Sequence, residues 1–228
     1  MRDVIVFADK AIVERFPGGF VGWFHRETCC MTEFYVGLLR KSVTTTDTVK
    51  VSLRFVENGG NAPSVRQLLS VALAMWPFPF VEYVERDDLG KKRMILDAVQ
   101  AALLWIAELR QWDTQRLKDC YDTILVHNLT FERWSKKSWR TQNPKYRLRV
   151  GFSFELRSID FFVGLFDRKG IEIGRKDLGS VVPEEGIVNE VLNGNGAWVR
   201  DHFFRLRIAS SCFYAPRAWK VDLSDLLG

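Results

Sequence analysis

KKRMILDAVQAALLWIAELRQWDTQRLKDCYDTILVHN, residues 91–128, opens a run of 53 positions (91–143) that contains neither glycine nor proline. Within it Ile95, Val99, Ala102, Ile106 and Leu109 recur at alternating steps of four and three. Arg93, Asp97, Gln100, Glu108 and Gln111 fall on the opposite side, with Leu104 the one apolar residue among them. That is the period of an amphipathic helix, and its apolar stripe is hidden only by packing on a sheet or on another helix. A second helical stretch starts at Asp113, a residue type that caps helix N-termini well, with Leu117, Cys120, Tyr121, Ile124 and Asn128 along one side. The spacing predicts helix over 91–128, either as a hairpin of two helices or as one long bent helix.

Strands are expected on both sides of it. Beyond Pro144 glycine becomes frequent, nine of the 16 lying in the last 84 residues, and the hydrophobic period shortens to two. Leu148, Val150, Phe152, Phe154 and Leu156 alternate with Arg147, Arg149, Gly151, Ser153 and Glu155, the pattern of a strand with one buried face. Residues 159–167 read as a denser apolar strand, Asp167-Arg168-Lys169-Gly170 as a turn, 171–178 as the next strand and 184–192 as a short helix. Asn193-Gly194-Asn195-Gly196 reads as a turn, and 198–208 and 218–223 complete a meander.

Towards the N-terminus, 33–41 and 48–57 read as paired strands, the second closed by Asn58-Gly59-Gly60-Asn61. Val65, Leu68, Leu69 and Ala72 give 64–76 a helical spacing with Ser64 as its cap, and 80–85 reads as a short edge strand. Strands, then helices, then strands predict an α+β fold: mainly antiparallel sheet or sheets, with a central helical hairpin packed on one face. A single domain over 1–228 is expected, the alternative being a division into 1–143, mixed strands and helices, and 144–228, an antiparallel meander.

The 228 residues are 47% hydrophobic and 27% charged, which is enough to bury a sizeable core and too apolar for a disordered chain. The longest stretch without a charge, 67–81, is 15 residues long and is interrupted by Pro77 and Pro79, whereas a spanning helix needs about 20 apolar residues. No membrane association is expected. Asp3, Asp9 and Lys10 interrupt what would be the apolar core of a signal peptide, so a cytoplasmic location is expected. Four cysteines are few for a disulfide framework. His25, Cys29 and Cys30 are the one crowded set of ligand-type residues, and no second pair accompanies them, so neither metal nor cofactor is expected.

The net charge of +5 is concentrated. Arg133, Lys136, Lys137, Arg140, Lys145, Arg147 and Arg149 occur in 17 positions without an acid, interleaved with Trp134, Trp139 and Tyr146. Such a mixture grips phosphates while stacking on bases, or meets the acidic surface of another protein. The competing structural reading is a solvated helix end followed by a strand edge, with the rings packed inward. Arg205 and Arg207 share the two-residue spacing of Arg147 and Arg149. If the two strands lay in one sheet, four guanidinium groups would form a basic platform flanked by Trp139 and Lys145.

No phosphate loop, dinucleotide fingerprint, nucleophile elbow or zinc-protease helix occurs. Asp201-His202 with Ser210 and Ser211 lacks an elbow and a third member. Glu155, Asp160 and Asp167 are acids in or at the ends of predicted strands, where paired carboxylates would act as general acid and base. No set stands out, and a non-enzymatic protein that binds another protein is the leading expectation, with a nucleic-acid-binding protein using 133–149, or an enzyme of another kind, as alternatives. Residues 143–174, NPKYRLRVGFSFELRSIDFFVGLFDRKGIEIG, resemble the strand-turn-strand style of bacterial immunity proteins that neutralise a cognate toxin. The resemblance implies a toxin partner, and the basic charge here implies that its contact surface is acidic.

Overall fold

Asp87 and Asp113 each begin a helix by accepting a backbone N–H, from Gly90 at 2.8 Å and from Gln115 at 2.9 Å. In the computed structural model, which describes residues 1, 3–16, 20–39, 45, 47–58, 62–184, 186–200, 202–208 and 216–227, the central stretch is therefore a hairpin of two helices. The chain has an α+β fold and divides into two compact units, Met1–Phe131 and Glu132–Gly228.

In the first unit, β1 (Asp3–Ala8), α1 (Lys10–Arg15) and α2 (Phe20–Leu39) precede β2 (Lys50–Glu57), β3 (Ser64–Leu68) and β4 (Val71–Phe78). Then come α3 (Phe80–Glu85), α4 (Asp88–Arg110) and α5 (Thr114–Val126). The sheet order is β1-β2-β4-β3, with β1–β2 and β2–β4 parallel and β3–β4 antiparallel. Val4, Val6, Val51, Leu53, Phe55, Ala72 and Ala74 alternate along its strands and are buried. Phe24 of α2 packs against Phe55, Phe78 and Phe80 with ring centroids 5.2–6.3 Å apart. The Tyr35 hydroxyl bonds the Leu117 carbonyl at 2.9 Å and the Gln100 side chain, so one side chain ties α2 to α4 and α5.

Several expectations give way here. Residues 33–39 are the end of α2, not a strand. Phe24, Met31, Tyr35 and Leu39 are all buried at steps of seven, four and four, a helical period that 33–41 alone is too short to display. Residues 64–76 are not a helix but the β3–β4 hairpin. Leu69 turns the chain at φ 53°, leaving Leu68 and Leu69 exposed while Ala72 and Ala74 alternate inward. Residues 80–85 are helix α3, which buries Phe80 and Tyr83 at i and i+3. On α4, Ile95, Val99, Ala102 and Ile106 are buried as expected, but Leu109 is 57% exposed. A steady 3.5-residue repeat drifts around a 3.6-residue helix, and by Leu109 the buried face has moved to Leu103 and Ala107. Lys41, Gly59, Gly60, Asn61, Asp201, Ser210, Ser211 and Cys212 lie outside the described residues.

The second unit is assembled from β5 (Phe131–Arg140), whose first residue closes the first unit, β6 (Arg147–Phe154), β7 (Ile159–Phe166) and β8 (Glu172–Val181). After these come α6 (Ile187–Leu192), β9 (Asn195–Arg200), β10 (Phe203–Arg207), β11 (Ala218–Asp222) and α7 (Ser224–Leu227). Two sheets result, β5-β6-β7-β8 and β11-β10-β9, with β6–β7–β8 and β9–β10–β11 antiparallel. The expected register of β6 holds: Leu148, Val150, Phe152 and Phe154 are buried, opposite Leu165, Val163, Phe161 and Ile159. Phe161 meets Trp219 at 5.6 Å, joining the sheets where β11 runs alongside β8.

Residues 133–140 are strand, not a helix end. Helix α5 stops at His127, and Asn128 and Leu129 take φ of 49° and 58°, a left-handed step that asparagine tolerates well. The predicted strand 198–208 is two strands, broken around His202. Among the described residues, no helix is long and apolar enough to cross a membrane.

Candidate functional site

Strand β5 lies at the end of its sheet, and its irregularity at Ser135 sets how the basic residues are displayed. Ser135 Oγ accepts the Val150 N–H at 3.3 Å and donates to the Lys137 carbonyl at 2.6 Å, so the hydroxyl stands in for a backbone group. The Ser135 carbonyl in turn accepts Nε and Nη2 of Arg149 at 3.0 and 2.7 Å. This guanidinium lies 5.1 Å from the Phe166 ring centroid. Arg147 donates to Ser138 Oγ at 3.2 Å, and Lys137 Nζ donates to the Gly194 carbonyl at 2.9 Å. Arg133, Lys136, Arg140 and Lys145 are exposed, and their side chains have no partner among the described residues. None of the seven bases forms an ion pair there.

The two tryptophans between them are half-buried and packed on neighbouring rings. Trp134 stands edge-on to Phe162 and Phe166, at 4.9 and 4.8 Å with interplanar angles of 73° and 87°. It rests on a floor of two glycines: a Cβ at Gly151 would come within 2.7 Å of its ring, and one at Gly164 within 2.4 Å. Arg175 covers the stack, 5.2 Å from Trp134 and 4.5 Å from Phe162, and is held by Glu172 and Glu132. The hydrogen bonds it donates to Glu172 and Glu132 raise its pKa further, so its charge is permanent. Sequence reasoning missed Arg175, whose only signal is alternation along a strand. Trp139 meets Phe204 at 5.2 Å over Gly196, and Trp198 Nε1 donates to the Arg140 carbonyl at 2.7 Å.

Arg205 and Arg207 are on β10, the middle strand of the other sheet, paired to β9 and β11. The single-sheet platform of four arginines therefore does not form. Arg207 is exposed, whereas Arg205 is half-buried and its Nε, fully buried, has no hydrogen-bond partner among the described residues.

The acids considered for catalysis have local work. Asp160 accepts the Ser180 hydroxyl at 2.5 Å, Asp167 accepts the N–H groups of Lys169 and Ile171 at 2.8 Å, and Glu155 accepts the Ser153 hydroxyl at 3.2 Å. Asp160 and Asp167 are at opposite ends of β7, roughly 23 Å apart at the rise of a strand, too far for a paired acid and base. His25 Nδ1 sits 2.8 Å from the Val6 carbonyl, and the thiols of Cys29 and Cys30 donate to carbonyls of their own helix at 3.2 and 3.1 Å. Among the described residues no group of three or more His, Cys, Asp or Glu is placed to hold a metal ion. No protein-family model, curated protein or solved structure matches the chain.

Proposed function

We propose that this chain is a non-enzymatic protein-binding module that docks, through the basic residues of β5, β6 and the turn between them, onto an acidic surface of another protein. The observation that carries the reading is that the seven bases of 133–149 make no ion pair among the described residues while the tryptophans between them are packed on neighbouring rings. Like charges this close repel one another, and an acidic partner relieves the repulsion. Nucleic acid would meet the same charge, but proteins that grip single strands add aromatic faces on which bases stack. Here Trp134 and Trp139 are engaged by Phe162, Phe166 and Phe204. Asp and Glu side chains ask only for guanidinium and ammonium groups.

In its specific form the partner is a bacterial toxin that the chain neutralises in the cytoplasm. The likeness of residues 143–174, which supply β6 and β7, to immunity proteins supports this form. The test mixes the purified chain with the product of the gene adjacent to its own and, separately, with a short single-stranded oligonucleotide, and asks whether co-expression relieves that product's toxicity. Binding and relief are expected. Oligonucleotide binding alone, falling steeply with salt, would replace this reading with nucleic-acid recognition.

A further inference from the structure

The first unit carries a second basic feature, on the sheet face opposite the Phe24 cluster. Register places Ser52, Leu73 and Arg66 in one cross-strand row and Arg54, Met75 and Ser64 in the next. Each arginine is thus diagonal to the other, with a serine beside each row's central apolar residue. All six line a cavity of about 470 Å³, within the range of small-molecule sites. Arg66, Ser52 and Ser64 have no side-chain partner among the described residues, and Arg54 has only Asp9, at 3.8 Å. The Cα atoms of Arg54 and Arg66 are roughly 12 Å apart by strand spacing and rise, and an arginine side chain is long enough for both guanidinium groups to reach one small anion between them, Arg54 by turning from Asp9.

We propose that this cavity binds a small amphipathic oxyanion: a phosphate or carboxylate held by Arg54 and Arg66, joined to a short apolar body that rests on Leu73 and Met75. The two guanidinium groups supply the charge and the forked donors that oxyanions match. Ser52 and Ser64 supply neutral hydroxyl donors at the rim. Leu73 and Met75, half-buried in the floor, give an apolar body a surface to cover, so inorganic phosphate alone leaves part of the site unused. The site is independent of the bases in 133–149, and either assignment stands if the other fails.

The test titrates isotope-labelled full-length chain with phenyl phosphate, benzoate, inorganic phosphate and the neutral benzyl alcohol, following backbone amide resonances. Saturable shifts are expected at residues 52–54, 64–66 and 73–75, with phenyl phosphate or benzoate binding more tightly than inorganic phosphate or benzyl alcohol. The stronger of the first two identifies which oxyanion the site prefers. Arg54→Gln and Arg66→Gln should each weaken binding by about tenfold, as loss of a hydrogen bond to a charged group does. Shifts confined to other residues, or undiminished affinity in the folded double variant, would overturn the proposal and leave these arginines as solvated charges beside an edge strand.

Discussion

Trp134, within the basic segment, packs edge-on to Phe162 and Phe166 above two glycines. Its ring fills the space that side chains at positions 151 and 164 would otherwise occupy. Gly164→Ala should therefore cost about 1–3 kcal/mol in urea unfolding, the range for an overpacked site. In a Trp134→Leu background the same change should cost distinctly less, since the two positions share one space. Additive costs would mean that the ring does not occupy this place. Gln111 offers the opposite case: it ends α4 at φ 56°, a conformation suited to glycine. Gln111→Gly should raise stability by about 1 kcal/mol, measured the same way.

Cys120 gives a pH dependence. Burial pushes its thiol from an ordinary 9.0 up to about 11. The folded value lies above the unfolded one, so this group's contribution is complete below pH 9 and is lost as the pH rises towards about 11. Between those limits wild type should lose stability relative to Cys120→Ala; parallel curves would refute the shift.

Among the elements, those with a long and regular period were legible. The face Ile95, Val99, Ala102 and Ile106 and the alternation through β6 both appear where their patterns require. Phe152, 1% exposed and opposite Phe161, should cost about 3–5 kcal/mol when replaced by alanine, and a loss below about 1 kcal/mol would contradict the register. Short windows misled. Val65, Leu68, Leu69 and Ala72 match a helical stripe, but two of those apolar residues belong to an exposed hairpin end, where spacing carries no information about burial. The parallel pairs were hidden in the same way: the crossover helix α2 between β1 and β2 ends in a stretch that reads locally as strand, and the β3–β4 hairpin that brings β4 back beside β2 reads locally as helix. At the site, the cluster of seven bases was legible from composition alone. The packing of Trp134 and Trp139 depends on glycines distant in sequence, and the separation of Arg147 and Arg149 from Arg205 and Arg207 depends on which strands pair. No periodicity encodes either.

For the whole molecule the division of charge is the decisive fact. Residues 1–131 contain 16 bases and 16 acids, whereas 132–228 contain 17 bases and 12 acids, so the second unit carries the entire net charge of +5. If the proposed docking is right, the second unit is the half whose charge steers the chain towards an acidic surface. The account stands or falls on the bases with no internal role: Arg133, Lys136, Arg140 and Lys145, whose exposed side chains touch no partner among the described residues. Reversing all four to glutamate should leave the unfolding curve essentially unchanged. The measurement is calorimetric titration of this variant and of wild type with the adjacent gene's product at low and moderate salt. The account predicts a loss of roughly a hundredfold or more for the variant, with most of the wild-type salt dependence gone. Equal affinity and equal salt dependence in a folded variant would contradict it.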